Sequence, residues 1–220
     1  MHKIAASIMC ADQIRLKEEL CNLEQAGIEL LHCDVMDGVF VNNLAMGPYV
    51  LEEIKEATSI PLDIHLATVS PAKYIEMFAG LQPEYMSFHI ETTNDAGKEI
   101  DLLQKKNIKP VIAISPETSV EEIVPYLSEV AMVLMMTVNP GFAGQAFNYS
   151  VLEKLDILQE RVANLGSRPL IEVDGNINEK TIPSLVEKGA NVFVLGTSQL
   201  FNEKEGGYTE KVENVRKIFL

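Results

Sequence analysis

The sequence predicts an α/β fold, a single (β/α)8 TIM barrel, and three observations carry that expectation. Short β-type runs, polar turns and helix-type stretches alternate from one end of the chain to the other. Eight such β-type runs can be counted. The length of 220 residues falls a little under the roughly 250 typical of such a barrel, so eight units fit and a second domain does not. The rival is an open doubly wound sheet, which the strand count disfavours. Residues 1–220 are therefore expected to form one barrel domain.

In chain order, strands are expected at 3–8, 29–35, 61–66, 84–90, 109–114, 131–138, 169–174 and 191–196. Helical spacing fills the gaps between them. Val120, Ile123, Val124 and Leu127 form one apolar stripe after the fifth strand. Val151, Leu155, Leu158, Val162 and Leu165 step by fours and threes after the sixth. Ile182, Leu185 and Val186 form a third stripe after the seventh. Gly27 and Gly189 follow helical patterns, where a terminating glycine is favoured.

Composition excludes several classes of function. The chain has 32 acidic residues against 18 Lys and Arg, a net charge of −14. Nucleic acids and anionic membranes need basic surface, so neither is an expected partner. No uncharged apolar stretch approaches the roughly 20 residues of a membrane span. The opening Met-His-Lys-Ile-Ala-Ala-Ser leads to Asp12 and Arg15 without the apolar run of a signal peptide. Three cysteines, Cys10, Cys21 and Cys33, make an odd number without C-x-x-C spacing. That usage suits a reducing compartment, so a cytoplasmic location is expected.

In such a barrel the chemistry sits where strands end and the following loops begin. The second strand ends His32-Cys33-Asp34-Val35-Met36-Asp37-Gly38. Alternate residues of a strand share a face, so His32, Asp34 and Met36 project together while Cys33 faces the helices. By the same rule His65 shares the face of Asp63 on the third strand. The seventh strand ends Glu172-Val173-Asp174-Gly175. Taken singly, each histidine reads as a satisfied core residue and each aspartate as a helix cap. Taken together at strand ends, His32, Asp34, His65 and Asp174 read as a site for Zn²⁺, Fe²⁺, Mn²⁺ or Co²⁺.

Glycines form a second constellation: Asn139-Pro140-Gly141-Phe142-Ala143-Gly144-Gln145 after the sixth strand, Gly175 after the seventh, and Gly196-Thr197-Ser198 after the eighth. One such glycine is a plain turn; three sets in adjacent late loops suggest an anion site. Glycine lets backbone N–H groups approach an oxyanion, and a short helix end adds a favourable dipole. None of these segments contains Lys or Arg, so the grip is expected from neutral amides.

With these motifs in place, the chain resembles the ribulose-phosphate 3-epimerase family from Ser7 to Phe201. The resemblance rests on Ser7-Ile8-Met9 with Ala11-Asp12, His32-x-Asp34-Val35-Met36-Asp37-Gly38, and Pro61-Leu62-Asp63-x-His65-Leu66. It rests also on Met136-x-Val138-Asn139-Pro140-Gly141-Phe142-x-Gly144-Gln145 and Glu172-Val173-Asp174-Gly175. It implies a barrel of the ribulose-phosphate-binding type with one divalent metal ion on His32, Asp34, His65 and Asp174. It implies Asp34 and Asp174 as the two acid/base groups that invert C3 of a phosphorylated ketose. It implies contacts to the sugar phosphate from Ser7, His65, Gly141, Phe142, Ala143, Gly144, Asp174, Gly175, Asn176, Gly196 and Thr197. Met9, Met36 and Met136 match family methionines and read as an apolar pocket wall or as ordinary packing. His89 and Glu91 end the fourth strand in a family-like way and read as supporting residues. His2, at the terminus, reads as idle. Family members are often dimers or hexamers, so a homo-oligomer is expected.

The chain departs from the family pattern at Ala6, Val39, Asn42, Ala67 and Asn176, where Pro, His, Pro, Met and Gly are usual. Ala67 in particular is expected to enlarge the pocket. D-Ribulose 5-phosphate is the first expected substrate. D-Allulose 6-phosphate is the alternative, because Met136-Thr137-Val138 and Gly196-Thr197-Ser198 look like that branch. Two further readings remain: a metal-free barrel lyase or isomerase, and a non-catalytic sugar-phosphate sensor.

Overall fold

A computed structural model describes residues 2–203 and 205–220. Nine strands among them form one sheet: β1 (Lys3–Ser7), β2 (Leu30–Asp37), β3 (Leu44–Ala45), β4 (Leu62–Ala67), β5 (Tyr85–His89), β6 (Lys109–Ile114), β7 (Met132–Met136), β8 (Leu170–Asp174) and β9 (Val192–Leu195). Eight are parallel to their neighbours, in the order β1-β9-β8-β7-β6-β5-β4-β2, and β1 pairs with β2 to close the barrel. The eight expected strands are all present, with ends displaced by no more than two residues. The ninth, β3, is a two-residue antiparallel strand on β2, too short to leave a periodic signal.

Among the described residues seven α-helices follow the strands: α1 (Leu16–Gln25), α2 (Pro48–Ala57), α3 (Pro71–Phe78), α4 (Ala96–Lys105), α5 (Val151–Val162), α6 (Ile182–Glu187) and α7 (Tyr208–Ile218). Proline occupies the first turn of α2, α3 and α6, where its missing N–H costs no intrahelical bond. Gly27 and Gly189 both take positive φ just past helix ends, the left-handed conformation glycine adopts without strain.

One expected helix is not α. Residues 120–126 form two short 3-10 turns, Val120–Glu122 and Val124–Tyr126. Pro125 lies inside that stripe, lacks an N–H and crowds the carbonyl four residues earlier, so the α ladder cannot run through it. The apolar stripe still works, since Val120, Ile123 and Leu127 are buried. Similarly, α5 stops at Val162 and Leu165 packs beyond its end.

Two apolar layers result. An outer layer fills the space between sheet and helices and includes Cys33, Val35, Leu155 and Leu158. An inner layer of Ala5, Leu30, Tyr85, Val111, Met132, Leu134 and Val192 fills the barrel. Burying one such side chain is worth about 1.5–3 kcal/mol. Strand alternation sorts the two layers, and above the inner layer it delivers polar side chains. Among the described residues no helix is long and apolar enough to cross a membrane.

Candidate active site

Register decides which polar groups meet. Ser7 pairs with His32, His32 with Asp63, Asp34 with His65, and Met136 with Asp174. Each of these positions has inward parity, so their side chains collect inside the C-terminal mouth of the barrel. His32, Asp34, His65 and Asp174 each offer a ligand atom, and those atoms all lie within 4.8 Å of one another. His65 Nδ1 is 3.0 Å from Asp34 Oδ1. His32 Nε2 is 3.5 Å from Asp34 Oδ1 and 3.8 Å from Asp174 Oδ2. Ser7 Oγ donates to Asp34 Oδ2 at 3.1 Å.

The donor set fits a divalent cation. Two imidazoles and two carboxylates suit first-row ions. His32 Nε2 is buried with no hydrogen-bond partner, although its other nitrogen lies 2.6 Å from Asp63 Oδ2. A carboxylate on Nδ1 fixes a proton there, so with a cation bound Nε2 would offer it a lone pair.

The two aspartates are driven in opposite directions. Burial pushes the Asp34 carboxyl up, but the adjacent His32 and His65 outweigh it and hold it well below the usual carboxylate range. Burial pushes Asp174 up, His32 opposes, and the Asp34 charge reinforces, leaving it at about 6. Beneath them Glu172 is fully buried with neither oxygen hydrogen-bonded. Burial, aided by the Asp63 charge, raises its pKa well above normal and so favours the neutral acid there.

A cavity opens over this floor. Ser7, Met9, Met36, His65, Met136, Gly141, Phe142, Ala143, Gly144, Asp174, Gly175, Asn176, Gly196 and Thr197 all line it. Asp34 lines it too, while His32 is fully buried below. Cys10 also lines it, a residue the motifs did not mark. Ala67 does not: it is fully buried against Met36 and Val41, so its small side chain does not widen the cavity.

The late loops are laced together. Thr137 Oγ1 donates to the carbonyls of Asp174 and Gly175 at 2.8 and 2.5 Å. Asn43 Nδ2 donates to the Gly141 carbonyl at 2.7 Å. A Cβ on Gly175 would stand 2.5 Å from Val138 Cγ2, with φ at +118°, so only glycine fits there. Asn176 takes φ +53° and donates from Nδ2 to the Gln145 carbonyl at 2.8 Å. Asparagine tolerates that left-handed conformation, so it keeps the turn and adds a tie. The helix end expected after Gly196 is a single turn, in which Leu200 N donates to the Gly196 carbonyl at 2.9 Å.

The expected supporting residues form a line. His65 Nε2 is 2.9 Å from His89 Nε2, and His89 Nδ1 is 3.0 Å from Glu91 Oε2. Glu91 Oε1 accepts from Ser115 N at 2.7 Å and Thr118 Oγ1 at 2.5 Å. Cys33 packs in the outer layer with its thiol on the Leu31 carbonyl. His2 stacks on Phe219. The motifs alone assign no role to Asp63 and Glu172; their inward parity on β4 and β8 is the signal that marks them.

Comparisons with known proteins agree with this geometry. Residues 3–201 match the ribulose-phosphate 3 epimerase family. A ribulose-phosphate 3-epimerase of Bacillus subtilis is 38% identical over 199 residues, covering 90% of this chain and 92% of the relative. One from Helicobacter pylori is 38% identical over 216 residues, covering 98% of each. Among solved structures, Mycobacterium tuberculosis tryptophan synthase superposes with a TM-score of 0.67 at 12% identity, covering 98% of this chain and 93% of the other. Phosphoribosyl anthranilate isomerase from Thermococcus kodakaraensis gives 0.65 at 10% identity, covering 99% and 98%. At such identities these two matches speak for the barrel alone.

Proposed function

The chain belongs to the ribulose-phosphate 3-epimerase family, a family of isomerases acting on carbohydrates, and on that premise we propose that it interconverts D-ribulose 5-phosphate and D-xylulose 5-phosphate. The observation that carries the proposal is the meeting of Asp34 and Asp174 beneath one cavity whose rim is built from glycine loops. The two carboxylates come from β2 and β8, separated round the barrel by β1 and β9.

The C3 proton of a 2-ketose is α to a carbonyl, so its removal leaves an enediolate. Inversion requires a base on one side of that plane and an acid on the other. Asp34, the carboxyl that favours its ionised form, takes the proton; Asp174, the more readily protonated, returns one to the opposite face. Their roles exchange in the reverse direction. His32, Asp34, His65 and Asp174 would hold one divalent ion, which supplies Lewis-acid stabilisation of the negative charge on the sugar oxygens. Ser7 orients Asp34 through its hydroxyl. Met9, Met36 and Met136 give the plane a dry, polarisable wall. The backbone amides around Gly141, Gly144, Gly175 and Gly196 take the phosphate. No Lys or Arg lines the cavity among the described residues.

The test is proton exchange. Metal-loaded protein in deuterated water should place deuterium at C3 of ribulose 5-phosphate and yield xylulose 5-phosphate. Allulose 6-phosphate, run beside it, should exchange far more slowly; faster exchange would move the substrate to the six-carbon sugar. Asp34→Asn and Asp174→Asn should each lower kcat at least about 100-fold, the lower end of what acid–base catalysis contributes. No exchange with either sugar would end the proposal.

A further inference from the structure

The line from His65 to Glu91 is longer than a buried histidine needs. It runs Asp34, His65, His89, Glu91, with gaps of 3.0, 2.9 and 3.0 Å. Both imidazoles are buried, and Phe40 packs on His89 with ring centroids 4.8 Å apart. With a cation on His65 both imidazoles would be neutral and would carry two N–H protons between them, and the line has three gaps. The gap between the two Nε2 atoms takes one proton, because two would clash and none would leave two lone pairs opposed. The second proton belongs either at Glu91 or at Asp34.

Glu91 is built to claim it. One carboxylate oxygen is held by the Ser115 N–H and the Thr118 hydroxyl, which turns the other onto His89 Nδ1. A proton on His89 Nδ1 makes His89 Nε2 an acceptor. The shared proton then sits on His65 Nε2, and His65 Nδ1 is left as a lone pair facing Asp34, where the cluster converges. We propose that Glu91, acting through His89, is a positioning residue that sets His65 in the tautomer able to bind a cation through Nδ1. The inference rests on the metal reading given above.

The mirror arrangement exists on the other side. Asp63 holds His32 through Nδ1 and frees Nε2. The two histidines therefore present different nitrogens, and each is fixed by a carboxylate that is not itself in the cluster. For His32 that carboxylate is in direct contact; for His65 it acts across a second imidazole.

Glu91→Gln is the informative substitution. The Ser115 N–H and Thr118 hydroxyl both donate, so they retain the amide oxygen. The amide NH₂ then faces His89 Nδ1 and donates to it. His89 must carry its proton on Nε2, His65 must accept there, and the His65 proton is driven to Nδ1, against a cation. The experiment uses full-length chain labelled with ¹⁵N-histidine, with Zn²⁺ as the probe. Long-range ¹H–¹⁵N correlation of the Zn²⁺-loaded wild type should show His89 protonated on Nδ1 and His65 on Nε2. Zn²⁺ affinity, measured by competition with a chelating dye, should fall about 10- to 100-fold in Glu91→Gln, the range seen when such outer partners are lost. A thermal melt checks that the variant is folded. Wild-type His89 protonated on Nε2, or a folded variant that binds Zn²⁺ within twofold of wild type, would overturn the inference and leave the metal reading standing. If the variant does not fold, the wild-type tautomers decide alone. A wild type that binds no Zn²⁺, Mn²⁺, Fe²⁺ or Co²⁺ would overturn both.

Discussion

Ala67 occupies an inward position on β4, directly paired with Met36 on β2, and it is buried in one apolar cluster with Met36 and Val41, against which Met9, Phe40 and Ala45 pack. A longer side chain there would have to displace them. We expect Ala67→Met to overpack this cluster at about 1–3 kcal/mol, read as a lower melting temperature. Unchanged stability with a shifted preference between five- and six-carbon sugars would show that Ala67 lines the pocket after all. The same scale shows what sequence makes legible. Alternation along one strand placed His32, Asp34, His65 and Asp174 on inward faces. It could not show that His32 stands opposite Asp63, or that His65 Nε2 meets His89, because those contacts depend on register between strands 24 to 31 residues apart. The small Ala67 read as a larger pocket for the same reason: its covering residues come from another segment.

At the scale of elements, Glu91 does more than face His89. It sits in the 3-10 turn after β5 and ties down the loop after β6 through Ser115 and Thr118. Burial pushes its carboxyl up, but bonds from His89, Thr118 and Ser115 prevail and lower its pKa from 4.5 to about 2. The sign follows from proton counting. Between those values the unfolded chain binds more protons than the folded one, so stability rises with pH. The contribution is complete above about 4.5 and fades as pH falls toward 2. The difference in melting temperature between wild type and Glu91→Gln should therefore be largest near neutrality and narrow below pH 4.5; a pH-independent difference would contradict this tie. The elements themselves were legible because the eight barrel strands and most helices repeat their pattern for four residues or more. Two were not. The 3-10 turns at 120–126 carry a helical stripe, and only Pro125 betrays them. The two-residue β3 is too short for any pattern to appear.

At the scale of the molecule, the barrel was readable from count and length. Closure through β1 and β2 turns eight local patterns into one mouth. The net charge of −14 looks irrelevant to a site proposed to grip phosphate with neutral amides, and for the bound state it would be. For the approach it is not. The proposed substrate, a doubly charged phosphate, would have to cross a field of its own sign to reach a mouth that no Lys or Arg lines among the described residues. Salt shortens that field, with a Debye length near 10 Å at about 0.1 M. We therefore expect kcat/KM to climb as sodium chloride is raised from a few millimolar toward about 0.1 M, measured on metal-loaded protein. A fall would mean that an attractive local potential dominates the encounter. Most enzymes of anionic substrates recruit them with basic funnels and slow down in salt. On the proposed reading this barrel would screen its visitors by repulsion and hold them by hydrogen bonds, and its capture rate would be tuned by the ionic strength of its surroundings.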